Sequence, residues 1–408
     1  MTTLLSINNY YYQRGGAETV FLGHNSLFDN AGWSVVPFAM RHAGNLDTPW
    51  SEFFVKEIEY GADYSLSDKL RRIPKVIYSL EARNNIDRLI SLCSPNVCHA
   101  HNIYHHISPS IFSAIKKHHI PSVMTLHDLK ISCPAYSMLS HKGICEKCKG
   151  DREYNVVLNR CIKGSLSLSM VVFMESVVHK ILGTYSKYVD RFIVPSRFYL
   201  EKMVEWGWSR DRFVYIPNFI RSSSYTPDYR PNTYFIYFGR LSREKGLATL
   251  IKAVAQSRVS LRIAGSGPDE GDLKRLAHDL GADVQFHGYL TGAVLHDLIR
   301  SSRAVVLPSE WYENAPMSIL EAYALGRPVI GAAIGGIPEL VQPDITGVIF
   351  ESGSVDSLAQ SLRTIADLPG ERITDMGRAG RAWVESACSS DNYMSRMLDL
   401  YRSLGVSC

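Results

Sequence analysis

Two glutamates eight positions apart, Glu313 and Glu321, stand in Ser309-Glu-Trp-Tyr-Glu-Asn-Ala-Pro-Met-Ser-Ile-Leu-Glu. Pro316 suits a first helical turn, which leaves Glu313 in the loop ahead of a helix and Glu321 inside it, roughly 10 Å away at helical rise. Carboxylates so separated can grip two parts of one ligand. They are poor partners for sharing a proton, and the rival uses are an inverting glycosidase pair or a solvated face. Upstream, Gly239-Arg-Leu-Ser-Arg-Glu-Lys-Gly246 places Arg240 and Lys245 in a loop that ends where a helix begins. A forked donor, a point charge and backbone N–H groups can together hold a diphosphate; an ordinary charged loop would look the same. Gly265 opens Gly-Ser-Gly-Pro-Asp-Glu-Gly271, whose third glycine comes one residue late for the dinucleotide fingerprint, so a nicotinamide cofactor loses support.

The first half carries a Gly15-Gly16 pair before a helical stretch, suited either to an anion or sugar at the helix start or to a tight turn. His127 ends an apolar run, where its ring can reach a ligand or sit satisfied in the core. His99 and His101 would share one strand face, but no Cys or carboxylate at ligand spacing completes a metal site with them. Cys133, Cys145, Cys148 and Cys161 lie close in sequence around a C-x-x-C. Their spacing fits a structural tetrahedral zinc site; unrelated loop thiols or a disulfide-capable pair are the other readings.

These residues need strands to deliver them. Short runs rich in Val, Ile and Phe alternate with amphipathic stretches along almost the whole chain, the pattern of parallel α/β domains. Strands are expected at 4–7, 34–38, 97–101, 122–126 and 192–194. A second series, at 235–238, 261–264, 284–286, 304–307 and 328–331, opens after a polar stretch near 217–232. Two doubly wound domains follow, with ligand expected in a cleft at the carboxyl ends of both sheets. Length, 408 residues, and an average composition exclude disorder and mini-protein scaffolds. The net charge of +4 is too small for a nucleic-acid coat. No signal-like start and no spanning apolar run point to a cytoplasmic protein.

Taken together, the residues resemble the family-4 (group 1) retaining glycosyltransferases of the GT-B fold over almost the whole chain. The marks are Gly15-Gly16, His127-Asp128, Ile216-Pro-Asn, Gly239-Arg240 with Lys245-Gly246, the Glu313/Glu321 pair, Gly335-Gly336-Ile-Pro-Glu339 and Thr346-Gly347. The resemblance implies an α/β fold of two Rossmann-like domains facing across a cleft. Residues 1–217 would form the acceptor-binding domain, with a Cys-rich insertion at 130–165. Residues 218–385 would bind a nucleotide sugar, and 386–408 would pack back on the first domain.

The resemblance also assigns roles. Arg240 and Lys245 would bind the diphosphate, Glu321 the ribose hydroxyls, and Glu313 with the backbone around Ala315 and Met317 the donor hexose. Gly15, Gly16, Gly265 and Tyr289 would complete the donor site, with His127 orienting the hexose. The catalytic set would be His127, Glu313, Arg240 and Lys245. Asn-Ala-Pro stands where many relatives carry a Phe-Gly type loop, and Pro316 lacks an N–H, which bears on the donor's hydroxyl pattern.

No Asp-x-Asp occurs, so metal-bridged diphosphate chemistry lacks obvious ligands. Transfer is expected to need no cofactor and to retain anomeric configuration. A UDP-sugar is the first expectation for the donor, a saccharide or lipid-linked saccharide for the acceptor, and surface polysaccharide synthesis for the setting. Rival functions are a GT-B nucleotide-sugar epimerase and a non-catalytic nucleotide- or polysaccharide-binding protein. From Lys69 to Lys117 the chain holds eight Lys/Arg and two acids. Leu70-Arg-Arg-Ile-Pro-Lys-Val-Ile-Tyr-Ser-Leu there suits peripheral contact with an anionic membrane, or a solvated basic face.

Overall fold

The structure, a computed structural model, describes residues 1–57, 73–140, 142–230 and 233–407. The chain divides into two compact units, Met1–Ser140 with Cys145–Ile216 and Met394–Cys408, and Pro217–Tyr393 with His141–Ile144.

In the first unit, strands β1 (Thr3–Ile7), β2 (Ser34–Phe38), β3 (Val97–Ala100), β4 (Ser122–Thr125), β5 (Arg191–Val194) and β6 (Phe213–Tyr215) form one sheet of order β2-β1-β3-β4-β5-β6. Every pairing is parallel, with Leu4 opposite both Val35 and Val97. Helices cover such sheets on both faces, so β3 and β4 are buried at every position and read as unbroken runs rather than alternating ones. Inside, Ser6 Oγ donates to Asn25 Oδ1 at 2.5 Å. Tyr401, from the end of the chain, is fully buried in this unit, 5.5 Å from the Phe28 ring and 6.0 Å from Trp33.

The second unit repeats the architecture with β7 (Tyr234–Phe238), β8 (Ser260–Ala264), β9 (Val284–Phe286), β10 (Ala304–Leu307), β11 (Val329–Ala332) and β12 (Gly347–Phe350). Their order is β9-β8-β7-β10-β11-β12, again all parallel. Strand order therefore reverses between β1 and β3 in one unit and between β7 and β10 in the other. Loops leaving the carboxyl ends of those strands part to opposite sides, and such points are where open parallel sheets bind ligands. The short edge strands β6 and β12 escaped the sequence reading.

Lys69, Leu70, Arg71 and Arg72 lie outside the described residues. In the part of that segment that is described, Lys75 pairs with Glu81 at 3.0 Å and Val76 is buried.

Candidate functional site

The loop after β7 and the loop after β10 meet at the reversal point of the second unit. Gly246, at φ +69°, is the C-cap of a short turn and starts the helix Leu247–Ser257. A Cβ there would fall 1.9 Å from the Pro308 carbonyl oxygen, so only glycine lets the two loops touch. Glu310 N donates to the Glu244 carbonyl at 2.9 Å and Thr249 Oγ1 to Glu310 Oε1 at 2.6 Å, adding two further ties.

Lys245 and Glu313 come together across this junction. Lys245 Nζ donates to Glu313 Oε1 at 2.7 Å, and Ser309 Oγ donates to the same oxygen at 2.7 Å. The Glu313 side chain is only 8% exposed, that of Lys245 24%. Burial pushes the Glu313 carboxyl up, but the Lys245 ammonium and the hydrogen bonds outweigh it and hold the group below its usual range. Glu313 therefore stays an anion. Its backbone is fixed from behind: Gly336 N donates to the Glu313 carbonyl at 2.8 Å. Gly335, at φ +60°, lies so close that a Cβ would sit 2.6 Å from Glu313 N.

Glu321 occupies the helix Met317–Ala324, which Pro316 starts as the N-cap. Burial, with no cation to offset it, raises its carboxyl to about 7. Arg240 is exposed, and its guanidinium makes no ion pair among the described residues. Asn218 Nδ2 donates to the buried Ala315 carbonyl at 2.8 Å, holding the loop between the two glutamates. Met317 is buried, Gly265 follows β8 at φ +152°, and Tyr289 is 68% exposed. The second unit thus brings a buried carboxylate–ammonium pair, an unneutralised carboxyl, an unpaired guanidinium and an exposed aromatic ring to the carboxyl ends of β7, β8, β9 and β10. Ser309, Glu310 and Asn218 were missed in the sequence. Ser309 could have been found from its place at the head of the same loop.

In the first unit, His127 follows β4, with its Nε2 2.8 Å from His101 Nδ1 and the two rings stacked at 5.1 Å. Burial lowers His127 to about 4, so it is neutral at ordinary pH. His99 bonds Tyr401 Oη and Thr125 Oγ1, each at 2.7 Å, which satisfies both of its nitrogens without a metal. Gly15 is the extended N-cap of the helix Gly16–Asn30, at φ −162°, so the glycine pair makes no left-handed turn. Buried Glu18 lies beside it, its Oε2 3.5 Å from where a Gly15 Cβ would be. A carboxylate of the chain itself thus stands at that helix end.

Cys133, Cys145, Cys148 and Cys161 are free thiols, and among the described residues no three His, Cys, Asp or Glu side chains converge as metal ligands. They are near neighbours all the same: Cys148 is raised to about 12 by burial and then by the charges of Cys133, Cys161 and Cys145. Proximity in sequence became proximity in space without tetrahedral convergence.

Comparison with known proteins accords with this geometry. Residues 14–223 match the family described as Glycosyltransferase Family 4, and residues 226–383 the family described as Glycosyl transferases group 1. A GDP-mannose-dependent monoacylated alpha-(1-6)-phosphatidylinositol monomannoside mannosyltransferase of Corynebacterium glutamicum is 35% identical over 175 residues, 40% of this chain and 45% of that protein. The chain thus spans about half the length of the curated relatives it matches. Among solved structures, sucrose-phosphate synthase from Thermosynechococcus elongatus superposes with a TM-score of 0.71 at 20% identity, covering 99% of both chains. HepE from Anabaena, solved with UDP and glucose, gives a TM-score of 0.69 at 15% identity, covering 99% of this chain and 100% of its own. These likenesses establish the fold as GT-B.

Proposed function

The chain belongs to the group 1, family-4 glycosyltransferases, and from that membership we propose that it moves a hexose from a nucleotide sugar to a hydroxyl of a saccharide or lipid-linked saccharide acceptor. The observation that carries this function is the Lys245–Glu313 pair, with unpaired Arg240 on the loop that bears Lys245 and unneutralised Glu321 on the helix that follows Glu313. A donor molecule presents a diphosphate, a ribose diol and a hexose, and each has a chemical counterpart there. An ammonium has three N–H donors, so Lys245 can keep Glu313 and still offer two to a phosphate. Arg240 adds a forked donor to the charge that grows on the leaving diphosphate. Ionised Glu321 accepts from the ribose diol, and Glu313, held anionic, accepts from hexose hydroxyls.

In the transfer step the acceptor oxygen bonds to the anomeric carbon on the face from which the diphosphate departs. The bond between that carbon and the phosphate oxygen breaks, and the diphosphate takes the acceptor's proton. Configuration is retained, and no cofactor is assigned to the step. His127, neutral and held by His101, orients a donor hydroxyl.

UDP-hexoses remain the first donors to try. GDP-mannose is the second reading, favoured by the name of the Corynebacterium relative. That name also favours a lipid-linked acceptor, and with it work at the cytoplasmic membrane face in surface polysaccharide or glycolipid assembly. The test is a panel of UDP-sugars and GDP-mannose scored for nucleotide release with and without acceptor, with the product's anomeric configuration read by NMR. Transfer with inversion removes the same-face mechanism. Sugar interconversion without transfer indicates an epimerase, and binding without turnover a non-catalytic protein.

A further inference from the structure

The helix Leu166–Leu182 in the first unit is packed inside out. Its buried face is Ser169, Val172, Glu175 and His179. Its outward face carries Leu166, Met170, Met174 and Ile181, at 53, 44, 44 and 76% exposure. Spacings of four, four and seven place these four on one side of a helix. Leu158, on the neighbouring short helix Asn155–Leu158, extends the patch at 72% exposure. Eight of the eighteen strongly exposed large apolar side chains among the described residues fall within residues 154–182, so the patch is a concentration and not a scatter.

The hydrophobic effect alone would turn this helix over. It is held by polar partners on the inner side. Lys130 Nζ donates to Glu175 Oε2 at 2.8 Å, both groups being buried. His179 Nε2 donates to the Ile77 carbonyl at 2.7 Å while Nδ1 bonds Thr184 Oγ1 at 3.0 Å. Ser169 Oγ accepts from Ile162 N at 3.1 Å. Rolling the helix would strand a buried Lys130, at a cost of several kcal/mol. Ser165 caps the start, and Gly183, at φ +64°, ends the helix. The apolar face is therefore fixed outward.

From this inverted packing we propose that the outer face of Leu166–Leu182 docks on an anionic lipid bilayer, lying in its interface. Between Tyr154 and Lys187 the only acidic residue is Glu175, which is buried. Lys180 is neutralised by Asp151 and Glu153, each at 2.6 Å. Arg160, Lys163 and Lys187 make no ion pair among the described residues and flank the apolar stripe. This face offers Leu, Met and Ile edged by cations, which suits acyl chains beneath anionic headgroups. No described helix is long and apolar enough to cross a membrane, so the helix lies along the surface. The choice of a bilayer also rests on the lipid-linked acceptor proposed above; the inverted packing does not.

The test is co-sedimentation of the full chain with phosphatidylcholine vesicles, with and without phosphatidylglycerol and with no acceptor lipid present. Binding is expected to the anionic vesicles and to weaken with salt. The double variant Met170→Glu/Met174→Glu should lose at least about tenfold in partitioning, whereas Leu92→Glu, more exposed and on another helix, should bind unchanged. A wild type that ignores both vesicles, or a double variant that binds like wild type, overturns the proposal. A self-associated species in sedimentation velocity that the double variant abolishes also overturns it, in favour of a second copy on this face. If the double variant does not fold, Met174→Trp serves: brominated lipids should quench the added fluorescence, and no extra quenching over wild type is the overturning result. Nucleotide release with a soluble acceptor in detergent reports on the transferase alone, so its absence in wild type would count against that function and not against docking.

Discussion

Lys245 Nζ and Glu313 Oε1 lie 2.7 Å apart and join the loop after β7 to the loop after β10. The pair spans the point where strand order reverses, so it sets the geometry of the site and braces the unit. Removing one partner from a largely buried pair strands the other. Lys245 keeps some solvent contact, which softens the loss. Glu313→Ala should cost about 1–3 kcal/mol in urea unfolding and lower turnover more than nucleotide affinity. Equal losses of UDP affinity in Glu313→Ala and Glu321→Ala, by calorimetry, would contradict the division of roles.

Glu321 gives a pH dependence of known sign. Its carboxyl is raised from 4.5 to about 7 by burial. Between those values the folded chain holds a proton that the unfolded chain has released, so stability falls as pH rises through that window. Glu321→Gln should recover roughly 1–3 kcal/mol at alkaline pH. Nucleotide affinity should move the other way, rising as the wild-type carboxyl ionises and staying flat in the variant. A wild-type UDP affinity independent of pH on either side of 7 would remove Glu321 as the diol acceptor.

Much of this site was legible in the chain because parallel sheets put chemistry in the loops that follow their strands, and those loops are contiguous in sequence. Arg240 and Lys245 share one loop, and Glu313 and Glu321 flank one proline. What could not be read was contact between separate loops. That Lys245 bonds Glu313, or that Gly335 lies under Glu313, depends on β7 and β10 being neighbours, and local pattern does not fix sheet order. The apolar helix Leu166–Leu182 was visible as composition, but its inversion depends on Lys130, thirty-six residues before its start.

Metal content should follow the thiol geometry. Protein purified without added zinc is expected to hold well under one equivalent, and a chelator should leave its melting temperature unchanged, because the thiols do not converge as ligands. One tightly held equivalent, lost together with stability, would show the opposite.

His101 should set the proton position on His127. His101 Nε2 is buried with no hydrogen-bond partner, and an orphaned N–H is costlier to bury than a bare lone pair. The proton therefore belongs on His101 Nδ1, which donates to His127 Nε2 across 2.8 Å and leaves the His127 proton on Nδ1. Nitrogen-15 shifts should report the Nδ1–H tautomer of His127 in wild type and a mixture in His101→Phe. That variant should lose about tenfold or more in kcat with UDP affinity unchanged. An Nε2–H tautomer in wild type would reverse the direction of the bond.

Acid should unfold the first unit through its imidazoles. Burial lowers His24 to about 3 and His127 to about 4, and it holds His99 and His101 well below 6.5. Below 6.5 the unfolded chain binds protons that the folded unit refuses, so stability is complete above that pH and lost as pH falls toward 4. Each fully buried ring should cost up to about 2 kcal/mol by mildly acidic pH. Glu321 in the second unit has the opposite slope, so its protonation offsets the acid loss carried there by His287, His296 and Glu313. Calorimetry across the acid range should therefore show the melting of the first unit shifting down while that of the second holds. His24→Leu should flatten the acid shift, and a variant as acid-sensitive as wild type would remove that ring from the account.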